Sequence, residues 1–148
     1  MKTAPSLHAR ALAMLARREH TRAEMARKLG PHAESVEQVE TLLDQLVARG
    51  WLSEARFAES RANVLSRKFG SRKIEYDLKS RGVSPEVVER TVEQARTQEL
   101  ENCRVAWQKK FGVLPQDAAE RGRQMRFLAG RGFSAEAVRQ VLKAGDAD

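Results

Sequence analysis

Apolar residues recur every three or four positions along most of the chain, a spacing that predicts amphipathic helices rather than strands. The pattern is clearest from Gly50 to Gln94, where Gly70 and Gly82 separate three short helices. Ser53 is the expected N-cap of the first helix. We expect Gly70 to end that helix in the left-handed conformation that glycine adopts easily. The apolar positions of this helix are Ala58, Ala62, Leu65 and Phe69, with Phe57 and Val64 beside them.

The other two helices of this stretch also have clear starts and stops. Ile74 and Leu78 lie one turn apart and should face inward, and Gly82 should stop their helix. The third begins at residues 84–86, where a serine N-cap precedes a proline at the first helical position and an acid in the first turn. Its expected buried positions are Val88, Val92 and Ala95.

The first fifty residues show the same organisation in a looser form. A helix runs from Leu7 to about Arg18, and residues 21–24 (TRAE) form a capping box that opens a short helix. The Gly-Pro-His sequence at 30–32 breaks this helix, and a second capping box at 35–38 (SVEQ) opens the next one, which Gly50 closes. The expected buried positions are Met25 and Leu29, then Val39, Leu42, Leu43, Leu46 and Val47.

The last fifty residues again contain three helical patterns. The first runs from about Gln98 to Lys110 and breaks at Gly112, and the second runs to about Gly130. Ser134 caps the last, and residues after Gly145 are expected to be frayed. The apolar positions are Leu100, Val105 and Trp107 in the first of these helices and Ala137, Val138, Val141 and Leu142 in the last.

An internal repeat connects these segments. Residues 78–88 align with residues 128–138 without a gap, and Lys-Phe-Gly at 68–70 recurs at 110–112. The economical description is an all-α fold of three tandem three-helix repeats, spanning residues 1–50, 51–97 and 98–148. Because a helix trio of this size buries its apolar face poorly alone, we expect neighbouring repeats to stack into an elongated, curved rod.

Composition narrows the class of protein. Of 148 residues, 32% are charged and only 5% are aromatic, which favours thin helical assemblies over a thick globule. A lone cysteine, Cys103, excludes an intramolecular disulfide and a multi-cysteine zinc site. No stretch resembles a signal peptide or a membrane span, so we expect a cytoplasmic protein. The net charge of +7 indicates an acidic partner such as nucleic acid, or a surface that only aids solubility.

The charge is segregated along the chain. Residues 10–28, 61–81 and 104–131 carry net charges of +4, +5 and +5, whereas residues 34–44 hold four acids and no base and residues 86–101 sum to −3. Each repeat therefore has a basic first pair of helices. If the repeats stack in one sense, these pairs could form a positive track, and the alternative is a set of solvated charged faces.

The predicted helix at 71–81 carries the sharpest surface pattern. With its apolar residues buried, Arg72, Tyr76 and Lys79 share the opposite side. Arg27 and Arg126 occupy the place of Tyr76 in the other repeats. Arginine and lysine contact phosphates or carboxylates, and an exposed tyrosine offers a stacking surface. The candidate binding residues are Arg67, Lys68, Arg72, Lys73, Tyr76, Lys79, Arg81, Lys109, Lys110, Arg123 and Arg126.

Signals for catalysis are lacking. His8, His20 and His32 belong to different segments and have no carboxylate or cysteine cluster among them, so no metal site is expected. The sequence contains no phosphate-binding glycine loop, nucleophile elbow or zinc-protease motif. We expect no catalytic residue, no cofactor and a quiet, partly buried Cys103 thiol. Trp51 is expected to pack, as is the neighbouring aromatic residue at 57.

Several motifs together resemble the RecX family of bacterial recombinase regulators. They are GWLSEARFA at 50–58, GSRKIEYDL at 70–78, RGV at 81–83, and LARREHTRAE at 15–24 followed by KL at 28–29. The family couples an Arg-Phe-Ala helix to a Gly-x-x-Arg-Ile-x-x-Glu-Leu segment, and this chain departs at Lys73 and Asp77 with the sign of each charge kept. The resemblance is strong from Leu12 to Val92 and weak after Leu100.

The resemblance implies a cytoplasmic protein of three-helix repeats that binds the RecA recombinase, and we expect this protein to be a monomer. Such proteins lie in the groove of the RecA filament on single-stranded DNA and lower its growth, ATPase and strand exchange. The residues then expected to face the filament or DNA are Arg72, Tyr76 and Lys79, with Arg67, Lys68, Arg123 and Arg126.

Two other functions remain open from the sequence. Short helix pairs with tight turns resemble helix-turn-helix units, so a transcriptional regulator is the main alternative, although no single helix concentrates base-reading side chains. The second open function is a helical scaffold that binds an acidic protein.

Overall fold

The computed structural model describes residues 3–143, and within them the chain forms nine α-helices and one 3₁₀ turn, with no strand. The helices are α1 (Leu7–Arg17), α2 (Arg22–Leu29), α3 (Val36–Ala48), α4 (Glu54–Leu65), α5 (Ser71–Ser80), α6 (Pro85–Arg96), α7 (Glu99–Lys110), α8 (Ala118–Gly130) and α9 (Ala135–Lys143). The all-α prediction is confirmed. The fraying predicted after Gly145 lies outside the described residues.

Each set of three helices encloses its own hydrophobic core, so the chain is a row of three repeats: α1–α3, α4–α6 and α7–α9. The accessible surface of 9738 Å² exceeds the about 7,600 Å² expected of a compact monomer of this mass. Tandem three-helix repeats in an elongated array are therefore confirmed. The main core residues are Met25, Leu29, Leu43 and Leu46 in the first repeat, Phe57, Ile74, Leu78 and Val92 in the second, and Cys103, Leu128, Phe133 and Val141 in the third.

The chain reverses sharply where the first repeat ends. Gly50 has a φ of 76°, and the N–H groups of Trp51 and Leu52 then donate to the Leu46 carbonyl at 2.9 and 3.2 Å. Leu52 packs into the first core, although the predicted boundary after residue 50 assigns it to the second repeat. The repeat boundaries at 50/51 and 97/98 stay a prediction.

Side-chain caps start most of the helices that the sequence predicted. At α2 the Thr21 hydroxyl accepts from the Glu24 N–H at 3.0 Å and the Glu24 carboxylate accepts from the Thr21 N–H at 3.1 Å, which confirms the first capping box. At α3 only half of the second box forms, because the Gln38 side chain accepts from the Glu34 N–H instead of the Ser35 N–H.

Two predicted local roles in the second repeat are wrong. Gly70 does not end α4 in a left-handed conformation: α4 ends at Leu65, and Gly70 has φ −89° and ψ −179° and stands just before α5. Ser84 occupies the N-cap of α6, but its hydroxyl makes no capping bond, and its N–H donates to the Glu54 carboxylate at 2.8 Å.

Four apolar residues that the sequence pattern singled out are exposed. Val64 and Val105 are 57% and 41% exposed, because each lies two positions, or about 200°, from buried residues of its helix. Val47 is 48% exposed at the edge of the α3 stripe. Trp51 is 44% exposed, and the Arg49 guanidinium lies 5.2 Å from its ring centre instead of a core neighbour.

The second and third repeats meet through backbone. The Gly70 N–H donates to the Arg131 carbonyl at 2.9 Å, and the Arg72 N–H donates to the Gly132 carbonyl at 3.2 Å. A Cβ on Gly70 would lie 2.5 Å from the Gly132 oxygen and 2.5 Å from the Phe133 Cα, so glycine is required there by close approach. This contact holds α5 against the α8–α9 turn.

A buried carboxylate reinforces the same junction. Glu99, the first residue of α7, is 6% exposed and accepts from the Ser71 N–H at 2.8 Å and from the Ser71 hydroxyl at 3.0 Å. Because Gly70 has no side chain with which to cap α5, Glu99 performs the capping from the neighbouring repeat.

The first and second repeats meet through more exposed groups. Arg56 donates to the Glu19 carboxylate at 2.9 Å and to the Gly50 carbonyl at 2.7 Å, and both charged side chains are partly open to solvent. None of the helices formed between residues 3 and 143 combines the length and the apolarity needed to cross a membrane.

Candidate functional site

The outward face of α5 has the orientation that the sequence predicted. Ile74 and Leu78 are 1% and 0% exposed, whereas Tyr76 on the opposite side is 76% exposed. Lys79 lies on this face and donates to the Glu75 carboxylate at 2.8 Å, which lowers the pKa of Glu75. The face therefore presents an aromatic ring between an unpaired arginine, Arg72, and a paired lysine.

Arg81 is neutralised inside the second repeat. The Asp77 carboxylate accepts from Arg61 at 2.8 and 3.0 Å and from Arg81 at 3.0 Å. Burial acts to raise the pKa of Asp77, but the hydrogen bonds and charges of the two arginines outweigh it and the pKa is lowered. Arg61, on α4, thus joins α5 to its own repeat through Asp77, and Arg81 is paired at the end of α5.

Most of the other predicted cations have no such partner. Of the ten basic candidates, eight form no ion pair with any residue of the described chain, 3–143, and all eight are exposed. They are Arg67, Lys68, Arg72, Lys73, Lys109, Lys110, Arg123 and Arg126. Their charge is left available to an external anion.

At the junction of the second and third repeats, cations and aromatic rings alternate. The Arg131 guanidinium lies 4.9 Å from the centre of the Phe127 ring and 5.4 Å from that of Phe69. Lys73 Nζ lies 5.6 Å from the Phe69 ring, and Lys110 Nζ lies 5.4 Å from the Phe127 ring. We call these five residues the junction cluster.

The structure brings some candidates together and leaves others apart. Lys73 and Lys110, from different repeats, join through the cluster, and Arg123 lines the same surface depression as Lys110. Arg67 and Lys68 lie in the segment between α4 and α5 that leads to Phe69. The remaining candidates lie on α5 or at its end, on α7 and on α8, so the exposed cations are distributed over two repeats.

Sequence reasoning missed the centre of the cluster. The apolar pattern assigns Phe69 to the α4 stripe, and the candidate binding residues do not include Arg131. A signal was present in the repeat alignment, which places Phe127 where the second repeat has Asp77, four residues before the matching arginine.

Groups suited to catalysis or metal binding are scarce in the described residues. No three His, Cys, Asp or Glu side chains between residues 3 and 143 are placed to hold a metal ion. Burial, with a smaller effect of the Glu99 charge, raises the pKa of the Cys103 thiol to about 12. His20 is buried with Nδ1 2.9 Å from the Arg18 carbonyl, and burial lowers its pKa.

Comparisons with known proteins agree on one family. Family models described as the second and third three-helix domains of RecX match residues 53–92 and 97–142. The regulatory protein RecX of Leptothrix cholodnii is 48% identical over 95% of this chain and 90% of its own length. That of Chromobacterium violaceum is 46% identical over 97% and 92%. The chain belongs to the RecX family of regulatory proteins.

The RecX fold extends to distant relatives. The crystal structure of RecX from Lactobacillus salivarius superimposes with a TM-score of 0.82 and covers 96% of each chain, at 16% sequence identity. At that identity the match supports the three-repeat RecX fold alone.

Proposed function

We propose that this RecX-family chain binds the RecA recombinase filament on single-stranded DNA and restrains its growth, ATPase and strand exchange. The observation that carries the proposal concerns the candidate cations: eight of them are exposed and form no ion pair within residues 3–143, and they are spread over the second and third repeats of a RecX-family chain. Polyanions bind such surfaces by releasing counterions.

The elongated array suits a filament as partner. Three separate cores make a row of repeats, and the backbone contact between the last two holds their basic faces in one arrangement. A ligand that touches several subunits at once gains avidity without any single strong pocket. In this account the chain is a cytoplasmic monomer that acts by binding, without cofactor or metal.

The proposed contact residues are those that the resemblance implied. Arg72, Tyr76 and Lys79 face the filament or its DNA, together with Arg67, Lys68, Arg123 and Arg126. Charge reversal of Arg72 and Lys79 together should weaken filament binding at least about tenfold, since each cation contributes through phosphate or carboxylate contacts. Unchanged binding by a folded variant would remove this face from the interface.

A matched control comes from the acidic helix α6. Arg90 and Arg96 are exposed and form no ion pair in the described chain, so reversing both changes the net charge by the same amount. We expect this control to bind nearly as the wild type does.

Binding to three fluorescent partners tests the function itself. The partners are RecA filaments on single-stranded DNA, bare single strands and duplexes, each measured at several salt concentrations. The proposal predicts the tightest binding to filaments. Tight binding to one duplex sequence alone would favour a transcriptional regulator, and binding to none would leave a helical scaffold.

A further inference from the structure

Arg131 differs from Arg81, its counterpart in the second repeat, in having no acidic partner. Its guanidinium lies close to two phenyl rings, and within residues 3–143 its side chain makes no hydrogen bond or ion pair. The rings attract the cation, but a ring carbon is not a conventional acceptor for any of the five N–H donors of the guanidinium. Those donors remain available to an anion.

The repeat supplies an internal comparison. In the alignment Arg81 matches Arg131 and Asp77 matches Phe127. In the second repeat the Asp77 carboxylate pairs with Arg81 at 3.0 Å. In the third repeat the Arg131 guanidinium lies 4.9 Å from the centre of the Phe127 ring, which does not neutralise its charge. The same fold position therefore provides a structural ion pair in one repeat and an uncompensated cation in the next.

The backbone fixes Arg131 in place. Its carbonyl accepts from the Gly70 N–H at 2.9 Å, and the next carbonyl, of Gly132, accepts from the Arg72 N–H at 3.2 Å. With its backbone fixed and its side chain against two rings, Arg131 loses less conformational entropy on binding a ligand than a free surface arginine does.

The surroundings of Arg131 are basic. Lys73 shares the Phe69 ring with it and Lys110 shares the Phe127 ring, each lysine exposed. The nearby acid, Glu99, is buried and hydrogen bonded to Ser71, so it does not face the anion.

The chemistry of a nucleic-acid strand fits this arrangement. Three cations from two repeats can contact the phosphates of one strand, and a guanidinium fork can hold one phosphate by two bonds. The exposed ring of Tyr76, on the same helix as Lys73, adds a surface on which a base can stack, which an acidic peptide would not need.

We propose that Arg131, flanked by Lys73 and Lys110, is a phosphodiester-binding site through which the chain contacts the backbone of single-stranded DNA directly. This rests on the proposed function and deepens it, because that function leaves open whether DNA is touched by this chain or only by the recombinase.

The test uses a bare fluorescent oligothymidine and no recombinase. Arg131→Gln should weaken binding at least about fivefold and lower the slope of log affinity against log salt by about one. Arg131→Lys should keep the slope but lose part of the affinity, because an ammonium lacks the fork. Arg90→Gln, on α6, is the matched control and should leave affinity and slope near the wild-type values.

A second variant reproduces the arrangement of the neighbouring repeat. Phe127→Asp should pair with Arg131 as Asp77 pairs with Arg81, and should weaken DNA binding as Arg131→Gln does. Phe127→Leu removes the ring without adding a carboxylate, so it should weaken DNA binding less than Phe127→Asp does. Unfolding midpoints of all variants separate a binding effect from a folding effect.

The outcomes separate this site from the proposed function. An unchanged salt slope in Arg131→Gln, or no wild-type binding to the oligonucleotide at low salt, overturns the site even if recombinase inhibition persists. If Arg131→Gln loses binding to poly-glutamate but not to DNA, the DNA site is overturned and an acidic protein is favoured as the ligand of Arg131. DNA binding that depends on Arg131, in a protein that leaves the recombinase ATPase unchanged, supports the site while refuting the function.

Discussion

Glu99 caps a helix of the neighbouring repeat: its carboxylate accepts from the N–H of Ser71 at 2.8 Å and from the Ser71 hydroxyl at 3.0 Å. The pair is buried, and it lies beside the backbone contact that positions Arg131 and α5. The orientation of the second repeat relative to the third therefore depends on a polar contact that neither repeat makes alone.

Removing the Glu99 cap should lower the free energy of unfolding more than removing a similar exposed charge does. Glu99→Ala leaves the buried Ser71 N–H without a partner, so we expect a loss of about 2–3 kcal/mol in the free energy of unfolding. Glu101→Ala, on the exposed side of the same helix, should change it by less than about 0.5 kcal/mol. Urea unfolding of both variants makes the comparison, and equal costs would contradict the capping role.

Gly70 should tolerate no side chain. Gly70→Ala places a methyl group against the backbone of Gly132 and Phe133, so we expect a loss of about 2 kcal/mol or more. Gly130→Ala is the control, because it ends α8 with open space around its Cβ position, and it should be neutral or stabilising. Thermal unfolding distinguishes them, and a neutral Gly70→Ala would refute the close contact.

Asp77 should contribute to stability through its two arginines. Asp77→Asn weakens the bonds from Arg61 and Arg81, and we expect a loss of about 1–3 kcal/mol. Glu75→Gln, which breaks only the exposed pair with Lys79 on the same helix, should cost less than about 0.5 kcal/mol. Denaturant unfolding tests this, and similar costs would mean that the Asp77 network is no stronger than a surface pair.

The first repeat should lose stability in acid through Glu24. Its hydrogen bond from Arg18, against a smaller opposing effect of burial, lowers the pKa of Glu24 to about 2 from an ordinary 4.5. A carboxyl whose folded pKa is depressed stabilises the fold fully above its unfolded pKa and loses that contribution as pH falls towards the folded value.

The measurement is the melting temperature of the wild type and of Glu24→Gln between pH 6 and pH 3. The wild type should be the more stable at pH 6, and its advantage should shrink as the pH falls below about 4.5. A constant difference across this range would show that Glu24 titrates normally in the folded state.

Local sequence patterns predicted the helices because the spacing of apolar residues and the caps depend on residues that are close in sequence. The spacing of apolar residues correctly predicted that Ile74 and Leu78 are buried. The capping box that begins at Thr21 was also predicted correctly, since its partners lie within one turn. The exposure of Val47, at the edge of the α3 stripe, could not be predicted in this way, because tertiary packing decides which residues at the edge of a stripe are covered.

The contacts between repeats could not be predicted in the same way. The role of Gly70 depends on residues 132 and 133, and the partner of Ser71 is 28 positions away. For the same reason Arg131 was missed: its environment combines Phe69 of one repeat with Phe127 of another. Only the repeat alignment, in which Phe127 takes the place of Asp77, indicated that Arg131 lacks the carboxylate partner of Arg81.

The most direct test of the account is the ATPase rate of RecA on single-stranded DNA, titrated with this protein. We predict that the rate falls at well below one copy per RecA subunit, because one bound molecule affects several subunits of a filament. A rate that stays constant up to one copy per subunit, under conditions where the protein is folded, would contradict the proposed function.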